Sequence, residues 1–170
     1  MEYADILLTT AEIGVTIAGF STLATMFMVQ PGSAVRLDVY RFEGMLINSL
    51  LVIAFSLLPL LVNALGLEIL DNWRLSSLVL LLVYGSRGTI ITVNTLRFKK
   101  SGHPVGRPFI VMTVLLVVVS LVLLANVIWP TATIAGGMYL VGLFGVLTNA
   151  CVLFLLVFLS GLTKTKEEKN

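Results

Sequence analysis

Residues 108–129 read PFIVMTVLLVVVSLVLLANVIW. The stretch holds no charged residue and is rich in valine and leucine. A helix needs about 20 mainly apolar residues to cross the roughly 30 Å of bilayer hydrocarbon. This stretch meets that length, and Pro108 stands where a first helical turn tolerates proline. It is therefore read as a membrane span. The run is too long and too continuous for the short alternating strands of a membrane β-barrel.

The same reading extends in both directions. Before this span comes a basic loop, Arg97 to Arg107, and after it Pro130-Thr131-Ala132-Thr133 turns the chain. Further apolar runs cover residues 3–29, 44–67, 74–96 and 134–162. The fold class expected is all-α, a polytopic transmembrane bundle of five spans. Gln30-Pro31-Gly32-Ser33 breaks the chain after the first span, and Arg36, Asp38, Arg41 and Glu43 form a charged connector. Glu68, Asp71, Asn72 and Trp73 make a polar link before the third span. Residues 1–162 are read as one transmembrane domain and 163–170 as a charged cytoplasmic tail.

Composition agrees. The chain is 58% hydrophobic and 12% charged, against about 45–50% and about 25% in soluble domains. Nearly all of its 170 residues are consumed by the spans. The formal net charge of +2 is too small to argue for nucleic acid. The single Cys151 excludes an intrachain disulfide, and the single His103 excludes a multi-histidine metal centre. The first span opens on Glu2 and Asp5 and lacks a small-residue cleavage site, so it is read as permanent and not as a leader.

Five spans place the two termini on opposite sides. With the N-terminus outside, Arg36, Arg41, Arg97, Lys99, Lys100, Arg107, Lys164, Lys166 and Lys169 are cytoplasmic, while only Arg74 falls outside. This follows the positive-inside rule. It also brings Trp73 and Trp129 to the outer interface, where tryptophan is favoured. An odd number of spans cannot divide into two equal inverted halves, which argues against the larger repeat-built transporters.

Charge inside hydrocarbon is costly and so marks function or pairing. Glu12 lies in the outer half of the first span and Arg87 near the middle of the third. Asp5, Thr9, Glu12 and Thr16 are spaced by four, three and four, which stacks them on one helical face. Gly19 continues that stripe, and Ala11, Gly14 and Ala18 form a small-residue face beside it, suited to helix packing. Asn48, Asn63, Asn94 and Asn149 are candidates for interhelical polar contacts. Pro59 is expected to bend the second span. The fourth span, with Thr113, Ser120 and Asn126 as its polar exceptions, has the composition of a lipid-facing helix.

The run Ala11-Glu12-Ile13-Gly14-Val15-Thr16-Ile17-Ala18-Gly19-Phe20-Ser21, with Trp73-Arg74-Leu75-Ser76-Ser77, resembles small uncharacterised polytopic proteins of the bacterial inner membrane. The resemblance implies that location. It implies no activity and no site residues.

Carboxylate rings are one route to cation selectivity. The stripe Asp5, Thr9, Glu12 and Thr16 thus points to a channel for cations or protons, with Arg87 as a gate. One five-helix subunit encloses little space, so symmetric copies of the chain would form the pore. The alternative is a non-transporting scaffold or accessory subunit in which Glu12 and Arg87 form a structural tie. An enzyme is not expected: no phosphate loop, nucleophile elbow or zinc-protease motif occurs. No cofactor, metal or nucleic acid is expected; the lipid bilayer is the expected surrounding.

Overall fold

Backbone polar groups have no water to bond in hydrocarbon, so a lone spanning segment must be helical. In a computed structural model of the chain, the five expected spans are α-helices. They are α1 (Ala4–Met28), α2 (Arg36–Ala64), α3 (Ile69–Lys100), α4 (Arg107–Ile128) and α5 (Ala135–Glu167). The structure describes residues 3–28, 36–66, 68–100, 107–129, 131 and 133–167, with side chains for 3–23, 42–66, 68, 70–93, 109–129, 131, 133–156 and 158. Each helix contains a stretch long and apolar enough to cross a membrane: Ala4–Leu23, Phe42–Ala64, Leu70–Val93, Phe109–Ile128 and Ala135–Leu156. The chain is thus all-α, and its helices point to an integral membrane protein.

Several helices outrun their apolar stretches. The charged connector expected at Arg36–Glu43 is the first part of α2, and the polar link before the third span is mostly the first turn of α3. Neither segment contains a proline or glycine to stop a helix. The tail is helical as far as Glu167. The expected break at Gln30–Ser33 and the middle of the basic loop, residues 101–106, lie outside the described residues.

The end of α2 has a specific cause. Gly66 adopts φ +83°, a left-handed conformation open to glycine without a Cβ penalty. Its N–H donates to the Asn63 carbonyl at 3.0 Å. Pro59 lies inside α2, and the helix continues through it. Before α5, the Thr131 carbonyl accepts from the N–H groups of Ile134 (3.1 Å) and Ala135 (2.9 Å), which starts the next helix at once.

Residues divide into two compact units. One comprises Leu57–Val146, and the other Glu2–Ser56 with Leu147–Asn170. In the first, α3 packs along α4. Glycines accept side chains from the neighbouring helix: Leu116 fills the space a Cβ would occupy at Gly88, and Leu123 and Val119 do so at Gly142 and Gly145. Trp73 stacks at a tilt on Tyr139, with ring centroids 5.6 Å apart. Trp73 is 3% exposed, whereas Trp129 is 75% exposed. Helix α4 exposes a broad apolar face that includes Ile110, Val114, Val117, Leu121 and Ile128.

In the second unit, α1 lies close to α2. A Cβ at Gly14 would meet the Ser49 carbonyl oxygen at 3.2 Å and Ile53 at 3.0 Å. Gly44 approaches Leu153 of α5 in the same way. Leu7, Met45, Val52 and Ala150 are fully buried.

Candidate functional site

Helix α1 has two opposite faces. Leu7, Thr10, Ala11, Gly14 and Ser21 are buried, while Asp5, Thr9, Glu12, Thr16 and Gly19 are exposed. At about 100° per residue, the centres of these two sets lie about 180° apart. The small residues Ala11 and Gly14 therefore do not border the polar stripe as expected. They belong to the packing face on the far side, and the stripe faces away from the chain's own packing. Nothing stands within 4 Å of a Cβ built at Gly19, which confirms that this side is open.

Four hydroxyls on α1 are satisfied locally. Thr10 donates to the Ile6 carbonyl at 2.7 Å, Thr16 to Glu12 at 2.9 Å, Ser21 to Ile17 at 2.6 Å and Thr22 to Ala18 at 3.1 Å. Such bonds to the preceding turn keep a hydroxyl paired in hydrocarbon. Glu12 has no such local option for its carboxyl. It is the ninth residue of the stretch Ala4–Leu23, so it lies about 12 Å in from that end at roughly 1.5 Å per residue, close to mid-bilayer.

The other expected residues belong to other helices. Arg87 is half-buried on α3. Glu12 and Arg87 belong to different compact units. Asn48 is buried on α2 and Asn149 half-buried on α5, whereas Asn63 is exposed. The Asn94 side chain is outside the described residues. Ser56 Oγ is buried on α2 without a hydrogen-bond partner.

A second polar group was not singled out by the sequence. Asn72, Ser76, Ser77 and Asn126 are all 0% exposed, and they join four helices of one unit. Asn72 Nδ2 donates to the Pro59 carbonyl of α2 at 2.8 Å, and its Oδ1 accepts from Ser76 at 3.3 Å. Asn126 Nδ2 of α4 donates to Ser77 Oγ of α3 at 2.8 Å and to the Ala135 carbonyl of α5 at 3.0 Å. The four-residue spacing of Asn72 and Ser76 is a legible helical pair. The link from Asn126 to Ser77 spans 49 residues, and no local spacing signals it. Tyr139 is fully buried close by, stacked on Trp73.

Among the described residues, no group of three or more His, Cys, Asp or Glu could hold a metal ion. The arrangement thus offers two polar features: an exposed acidic helix face and a buried amide–hydroxyl knot. No family model, curated protein or solved structure matches the chain.

Proposed function

We propose that the chain assembles as a symmetric homo-oligomer in which the polar face of α1 lines a path for cations or protons. The observation that carries this reading is the outward position of Thr9, Glu12 and Thr16, opposite the packing face of the same helix. An acidic side chain facing lipid near mid-bilayer costs about 3 kcal/mol on insertion scales. Each copy would carry that cost alone. Association around α1 removes the carboxyls from lipid and gathers them about one axis, where a ring of carboxylates favours cations. Asp5 stands at the rim of the same face, positioned to draw cations to the entrance.

The orientation in this reading is N-terminus outside and C-terminus cytoplasmic, in a bacterial inner membrane. It rests on nine Lys and Arg residues falling on one side and Arg74 alone on the other. Arg87 serves as a gate or as a partner to the acidic face.

The test is flux through purified protein in liposomes. Wild-type protein should carry protons or monovalent cations, and Glu12→Gln should drop that flux towards the leak of empty liposomes. Equal flux from both proteins would remove Glu12 from any path. Assembly without flux in either protein would instead favour the scaffold reading, with Glu12 and Arg87 as a structural tie.

A further inference from the structure

The knot in the unit Leu57–Val146 has one incomplete edge. Asn126 Oδ1 is buried and has no hydrogen-bond partner, although the amide nitrogen on the same carbon makes two bonds. Ser77 Oγ accepts one of those bonds at 2.8 Å. Its own hydroxyl proton has no acceptor among the described residues. An empty acceptor and an unused donor thus stand on adjacent groups already joined by a hydrogen bond.

A buried carbonyl left without a donor is strongly disfavoured in a low-dielectric interior. A water molecule that bridges two such groups is nearly as good as a direct bond. Depth also allows it. Asn126 is two residues from Ile128, the end of its apolar stretch, and Ala135 opens the next; Ser77 is seven residues in from Leu70, about 10 Å at roughly 1.5 Å per residue. Asn126, which carries the open carbonyl, is thus close to the end of its apolar stretch, while Ser77 is deeper. A bound cation is the poorer fit, because no carboxylate belongs to the knot and one free amide oxygen is a poor ligand set.

We propose that Asn126 and Ser77 hold an ordered water. It accepts from the Ser77 hydroxyl and donates to Asn126 Oδ1. This closes a ring in which the amide N–H donates to Ser77, Ser77 to water, and water to the amide oxygen. The water completes the joint between α3, α4 and the start of α5. This site is independent of the α1 face and stands or falls separately from the proposed ion path.

Solid-state NMR on the full chain in lipid bilayers tests it, with magnetisation transferred from water to the protein. Wild-type protein should show transfer to the Asn126 side-chain amide carbon. Ser77→Ala should reduce that signal to background, while Ser76→Ala, which alters only the bond to Asn72, should leave it. A resolved Asn126 signal that receives no water magnetisation in the wild type would overturn the proposal without recourse to any variant. So would transfer unchanged by Ser77→Ala, or an Asn126 signal that shifts with added sodium.

Discussion

Asn126 and Glu12 show how differently a polar residue can be accommodated in an apolar helix. Asn126 turns inward and spends both amide protons on other helices. Glu12 turns outward and calls for a partner beyond its own chain. Hydrogen bonds between membrane helices contribute about 0.6 kcal/mol each on average. Asn126→Leu removes two, so it should destabilise the protein by about 1 kcal/mol, read as a lower midpoint of denaturant-induced unfolding in bicelles. Asn63→Leu alters an exposed side chain and should leave that midpoint in place. The sequence presents Glu12 as part of a polar stripe and Asn126 as an exception in a span read as lipid-facing. Packing decides which way each one turns, because which side of a helix is covered depends on neighbours distant in the chain.

Helix α1 offers a sharper comparison, because two of its glycines point to opposite sides. Gly14 faces the Ser49 carbonyl and Ile53, while Gly19 faces open space. Gly14→Leu should destabilise the folded chain by about 1–3 kcal/mol, the usual consequence of overfilling a packed contact. Gly19→Leu should unfold at the same point as wild type. If α1 lines an oligomer axis, however, Gly19→Leu should weaken assembly, visible as a loss of higher species in native mass spectrometry from lipid discs. An oligomer unaffected by Gly19→Leu would argue against a central α1. Element positions were largely readable from hydropathy: the span read at 108–129 is the helix Arg107–Ile128. Hydropathy marks the part of a helix that lipid surrounds, not the helix itself. Polar turns such as Arg36–Arg41 and Ile69–Trp73 therefore escaped it, although their backbones are as regular as the rest. The stripe on α1 was legible because helical spacing alone defines it. Which way it faced was not, and neither was the knot built from Asn72, Ser77 and Asn126.

At the scale of the whole molecule, the arrangement of termini is open to direct measurement. In a Cys151→Ser background, Glu68→Cys would place a thiol at an exposed position between α2 and α3. A membrane-impermeant maleimide should label it from outside intact cells. Labelling only after the membrane is opened would reverse the orientation and move the basic segments to the outer side.

The broad outer face of α4 has a consequence for variation. Ile110, Val114, Val117, Leu121 and Ile128 are all exposed, and lipid tails are indifferent to which apolar side chain they touch. Val119 and Leu123 fill space at Gly145 and Gly142, and Asn126 binds two other helices. A saturation library across α4, selected for stable protein, should therefore show a periodic pattern of permissiveness. Free exchange among Leu, Ile, Val and Phe should recur along the outer line, and a narrow choice at 119, 123 and 126. The helix with the plainest composition would then record in its tolerated substitutions which of its sides meets protein.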